Sequence, residues 1–220
     1  MRMNFIRKEV FAYVNENVKP LYKTFDKAHN LSHFKFVTEN CVEHARELAK
    51  RGIVVNLEIA YMVGALHDIG ITKGRDGHAK SSGEMVRNDT NLRTLYSEGE
   101  IEMIAQAVED HSSHLEYEPR SIYGKIVADS DRNNSVYLVF SRPIKYGIKH
   151  EKGLDRQGHI NKVYDFVQNK FGRNGHVKYW LDISETRKEQ QKVWSLLDNE
   201  ELCKMYIGGI FDEITKGKIK

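Results

Sequence analysis

The stretch that decides the fold is Tyr61–Gly74, YMVGALHDIGITKG. An apolar run ends in His67-Asp68, and glycine and a polar turn follow. From Leu57 to Leu66 the chain is apolar almost all round, which predicts a buried central helix. An unpaired Asp at the end of such a helix is unfavourable, because a desolvated charge must be neutralised or paired. The question is what balances Asp68.

Outward from that stretch the pattern stays helical. Phe34, Val37, Cys41, Ala45 and Leu48 recur at three and four, one face of a helix that Gly52 ends. Ile101, Ile104, Ala105 and Val108 mark another helix, and Ile122 and Ile126 the next, with Val136–Phe140 continuing after a break. Arg142 to His159 is polar and punctuated by glycine, so a loop or lid over residues 141–158 is expected. Helices over Val163–Phe171 and Ser184–Leu197 follow. The expected fold is all-α: a helical domain over 1–140, then the loop or lid, then a helical extension over 159–220 packed on the core.

Composition sets the frame. Of 220 residues, 40% are hydrophobic, enough for a proper core, and the net charge of +3 comes from 34 basic and 31 acidic residues. That balance lacks the concentrated basic face of a nucleic-acid binder. Cys41 and Cys203 are far apart and form no CxxC pair, against a zinc finger or disulfide framework. The start, MRMNFIRKEVF, is charged too early for a signal peptide, and no apolar run approaches the roughly 20 residues of a membrane helix. A reducing, cytoplasmic setting is expected, with no membrane and no nucleic-acid partner. Three prolines, Pro20, Pro119 and Pro143, leave long helices free to form.

Several ligand-type side chains fall on the inner faces of these helices. His33 lies one turn before Val37, His111 three residues after Val108, and Asp129 three after Ile126. His67 and Asp68 close the buried helix. His78 opens HAKSSGEMV, where Gly83 would let another helix approach closely. A lone inward histidine is ordinarily a core residue bonded to backbone. Two inward acids with four inward imidazoles instead call for a shared counter-charge, and a divalent metal accepts N and O ligands together. His44 shares the face of His33 but stands about 16 Å along the axis and cannot join it. His150, His159 and His176 read as solvated loop residues, while His29, which Asp26 could orient, and His114 stay ambiguous.

The ordered set His33, His67-Asp68 and the Asp of KIVADSDR resembles the HD-domain superfamily of metal-dependent phosphohydrolases, over roughly residues 25–140. The resemblance implies a helical bundle in which His33, His67, Asp68 and Asp129 bind a first metal. In members with two metals, His78 and His111 stand where the second pair lies, and Asp68 would bridge. The order is similar to that of bacterial HD-type diadenosine-tetraphosphate hydrolases. HSSHLEYEPRS lacks the GYP signature of the cyclic-dinucleotide phosphodiesterases, and DKAHNLSH resembles short HD proteins that hydrolyse nucleoside triphosphates. The implied activity is hydrolysis of a small phosphorylated substrate, a nucleotide above all, with one or two divalent ions of iron, manganese, zinc, cobalt or nickel, or magnesium. Asp68 and Lys73 are the catalytic candidates. Lys73, Arg75, Arg120 and Arg132 are candidates for the substrate's charge, each arginine reading equally well as a solvated surface residue. Two other readings stand beside this one: a di-iron oxygenase of HD fold, and a non-catalytic module that senses a nucleotide. A homodimer surface on the C-terminal helices is a further expectation.

Overall fold

A computed structural model describes residues 5–26, 28–132 and 135–216. The described residues are all-α, in two compact units. One comprises Met1–Arg132 with Tyr179–Leu181, the other Asn133–Lys178 with Asp182–Lys220.

The first unit is built around α4 (Leu57–Leu66), in which every residue from Glu58 to Leu66 is buried. That matches its unbroken apolar sequence. Before it come α1 (Lys8–Tyr13), α2 (Lys19–Tyr22) and the long α3 (Leu31–Lys50), then after it α5 (His78–Asn88), α6 (Glu98–Glu109) and α7 (Ile122–Arg132). Helix starts are set by side chains that accept the otherwise unpaired first N–H groups. Asn30 Oδ1 accepts from Ser32 and His33 at α3, and Asn56 Oδ1 from Glu58 and Ile59 at α4. Ser97 and Glu100 form a reciprocal capping box at α6. The α3 start is fixed at the residue pair that carries His33.

Close approaches then set the spacing. A Cβ at Gly83 would run into the Glu109 side chain, so glycine lets α5 lie against α6, as its position predicts. A Cβ at Gly70 would collide with the His78 carbonyl and the Ser82 backbone nitrogen. The Ser82 hydroxyl donates to the His67 carbonyl at 2.7 Å and accepts from Gly70 N–H at 2.9 Å. Thus the start of α5, with His78, is seated directly on the turn that follows Asp68.

The second unit packs α8 (Val136–His150), α9 (Arg156–Phe171), α10 (Ser184–Leu197) and α11 (Glu200–Lys216) around Phe140, Ile144, Val167, Cys203 and Ile207. Here the loop or lid expected over 141–158 is corrected: residues 142–150 complete α8, and α9 begins at Arg156. The segment is polar and punctuated by glycine, but Val139, Phe140, Ile144 and Gly147 are buried along one face, and that packing also outweighs the backbone hydrogen bond Pro143 cannot make. His159, read as a solvated loop residue, is buried in α9 with its Nδ1 against Gly147. Among the described residues no helix is long and apolar enough to cross a membrane.

Candidate metal centre

Asp68 is 2% exposed, and four imidazoles surround it. Its Oδ2 lies 3.3 Å from His33 Nε2 and 3.0 Å from His67 Nε2. Its Oδ1 lies 3.2 Å from His78 Nε2 and 3.6 Å from His111 Nε2. The donors therefore fall into two groups that share one carboxylate: His33, His67 and Asp68, and Asp68, His78 and His111.

Backbone carbonyls decide which ring nitrogen faces inward. His67 Nδ1 is 2.8 Å from the Gly64 carbonyl, His78 Nδ1 is 2.8 Å from the Arg75 carbonyl, and His111 Nδ1 bonds the Val108 carbonyl. A carbonyl only accepts, so each Nδ1 carries the proton and each Nε2 presents a lone pair to the centre. Nε2 atoms meet in pairs at 3.1 Å, His33 with His67 and His78 with His111. For His67, His78 and His111 the inward nitrogens bear lone pairs, whereas no carbonyl fixes the His33 tautomer, its Nδ1 having no partner. Nitrogens gathered in this way around a buried carboxylate could hold a cation, or share protons in its place. The Tyr22 hydroxyl, itself donating to the Ala65 carbonyl, accepts the Asp68 N–H at 3.3 Å and so holds the HD corner.

Where protons rather than a cation fill the site, burial opposes ionisation of Asp68, but the charge of His67 and the hydrogen bonds of protonated His111, His33 and His67 hold its carboxyl well below the usual range. Burial likewise works against a charged His33, and its bonds to Asp131 and Asp68 prevail, raising it to about 9. The hydrogen bond to Asp68 raises His78.

Of the two acids of α7, the structure brings a different one to the cluster from the one expected. Asp129 is wholly buried, but its two oxygens accept the backbone N–H groups of Trp180 and Leu181 at 2.7–3.0 Å; among the described residues the two tight donor groups include neither Asp129 nor Asp131. Asp131 comes to the cluster instead, its Oδ1 3.2 Å from His33 Nε2. Burial opposes the Asp131 charge, and His33 and His67 hold its carboxyl far below the ordinary value. The missed signal is Val127, four residues before Asp131 and wholly buried. Since α7 is buried on nearly every side, the Ile126–Asp129 spacing alone could not choose between the two acids.

The cations also sort differently. Arg120 is taken up by Asp110 and Glu109, at 2.8 and 2.7 Å, and so clasps α6 rather than facing a substrate. Arg132 is buried, and its Nη2 donates to the carbonyls of His111 at 3.2 Å and Ser112 at 2.6 Å. It is a brace. Lys73 is exposed at the end of the short turn Ile69–Lys73. Arg75 is exposed too, 3.6 Å from Asp26. Asp26 Oδ1 in turn holds His29 Nδ1 at 2.9 Å. The His29 ring centre stands 5.8 Å from that of His33 and 6.4 Å from that of His78, beside one member of each group. His44 points away, its Nδ1 3.0 Å from Ser130 Oγ.

Residues 30–133 match the family model described as the HD domain. This segment of the chain is an HD domain, in agreement with its helices and its His/Asp cluster. HD domains bind divalent metals and are typical of metal-dependent phosphohydrolases. No curated protein and no solved structure matches the chain.

Proposed function

We propose that this protein is a metal-dependent phosphohydrolase that cleaves a phosphate ester or anhydride of a small substrate, a nucleotide. The observation that carries the reading is Asp68, whose two oxygens each face a separate pair of imidazole Nε2 atoms. His33, His67, Asp68 and Asp131 would hold one ion, and Asp68, His78 and His111 a second. Two divalent ions bound there would supply charge for phosphoryl oxygens and acidity for a water. The chain's own part is orientation. Three Nδ1–H bonds to backbone fix the rings, and the Ser82 and Tyr22 hydroxyls fix the HD corner. Lys73 and Arg75 offer positive charge close in sequence to Asp68 and His78, where a phosphorylated substrate requires it. In the reaction, water oxygen bonds to phosphorus, the P–O bond to the leaving group breaks, and the leaving oxygen takes a proton.

The test is metal content of protein purified without chelators or an affinity metal, followed by hydrolysis of a panel of nucleotides and simple phosphate esters. Two ions per chain and release of a phosphate product that Asp68→Ala abolishes is the expected result. Two irons with oxygen consumption and no hydrolysis would favour an oxygenase. Tight nucleotide binding without turnover under several metals would favour a sensor.

A further inference from the structure

The last turn of α7 is anchored by groups outside both donor sets. Asp129 accepts the Trp180 N–H at 2.9 and 3.0 Å and the Leu181 N–H at 2.7 Å. The Tyr179 hydroxyl donates to the Arg132 carbonyl at 3.2 Å, satisfying one of the acceptors a helix end leaves open. The Arg132 guanidinium reaches across to the carbonyls of His111 and Ser112. Asp131 lies between these anchored residues. A helix end held by fewer bonds frays, and metal ligands tolerate displacements of only about 0.2 Å.

We infer that Tyr179–Leu181 is a positioning strap for the metal centre: by gripping Asp129 and the Arg132 carbonyl, it sets the Asp131 carboxylate against His33. Three consecutive residues far beyond the HD segment thereby complete it. The strap groups the chain differently from the family match, which ends at 133. Its hold on Asp131 acts on the half-site of His33 and His67. The His78–His111 half is held chiefly through Ser82, Gly70 and the backbone of Arg75 and Val108, which the strap does not touch in the bonds described, and its link to the strap runs at one remove, through Arg132 and the His111 carbonyl. This inference rests on the proposed metal reading of the cluster.

The experiment is Co²⁺ binding to the full-length protein, followed by visible absorption, for wild type, Asp129→Asn and Tyr179→Phe. His33→Gln and His111→Gln show which binding step belongs to which half. Asp129→Asn keeps the side-chain size but puts an amide donor against a backbone donor. It should weaken the His33 half about ten- to a hundredfold, the range for residues that orient metal ligands, and shift the other step, which the strap reaches only at one remove through Arg132, several-fold less. Tyr179→Phe, which removes one hydroxyl and preserves packing, should shift the same step less. Unchanged affinities in both variants would overturn the strap while leaving the metal centre standing. Equal weakening of both halves, in step with a fall in melting temperature, would also overturn it, since that is what a merely structural contact does. A wild-type protein that takes up no Co²⁺ would remove the metal reading itself, and the strap with it.

Discussion

Asp131 Oδ1 lies 3.2 Å from His33 Nε2, while the carboxylate of Asp129, two residues earlier on the same helix, is turned to the backbone of Trp180 and Leu181. Two acids in one short motif are thus separated by roughly half a turn of helix into a ligand candidate and an anchor. Asp131→Asn keeps the shape and removes the charge. It should cost at least about tenfold in affinity at the His33 half and lower hydrolysis, with the fold intact by circular dichroism. An Asp131→Asn protein with wild-type metal content and turnover would return the ligand role to another residue.

Gly70 has no room for a methyl group. Alanine there meets the His78 carbonyl and Ser82 nitrogen, so α5 must move off the HD turn. Overpacking of this kind costs about 1–3 kcal/mol. Gly70→Ala should lower the urea midpoint and lose the ion of the His78–His111 half before that of the His33 half. Metal content measured against stability separates the two effects. A variant with both ions and wild-type stability would show that α5 is not seated on this turn.

Arg120 reaches the wholly buried Asp110 from a position itself about one-third exposed. Removing its guanidinium leaves the buried carboxylate with the Tyr117 hydroxyl and the residue-120 N–H as donors but without a countercharge. Breaking such a pair is destabilising by up to about 3 kcal/mol, less here because those bonds remain and solvent screens the arginine. Arg120→Met should therefore lower the melting temperature while KM for the substrate changes little. A large rise in KM at unchanged stability would restore Arg120 as a substrate contact.

Acid should weaken the fold through His44. Burial pushes its imidazole down to about 4, against a bond to the Ile126 backbone that works the other way. The unfolded chain, with histidine near 6.5, binds the proton more readily, so stability is full above pH 6.5 and falls as pH drops from there towards 4. The total loss is about 3 kcal/mol. His33 and His78 are shifted upward, so their contribution is fully present throughout this range. With chelator present, wild type should lose stability between pH 6.5 and 4.5, and His44→Gln should show a shallower slope. Equal slopes would exclude His44 as the source.

The sequence by itself determined the all-α class, the central helices and most of the cluster. The apolar run Leu57–Leu66 can satisfy its backbone and bury itself only as a central helix, and an Asp at its end demands partners. His33, His67, Asp68 and His111 were legible because each lies in register with a periodic apolar face, and local periodicity fixes which way a helical side chain points; His78 was legible from its place in the family's order of ligands. The tertiary structure decided the rest. Asp129 and Asp131 both sit on a helix buried on nearly every side, so only the strap at 179–181 distinguishes them. The arginines look alike in sequence, yet Arg120 and Arg132 are taken by Asp110 and by the His111 and Ser112 carbonyls, partners that arise from chain segments brought together by folding. Residues 142–150 became helix because the packing of Phe140 and Ile144 outweighs a proline and a glycine. Periodicity is a local property and was readable; the choice among equally placed charges depends on which distant groups reach them.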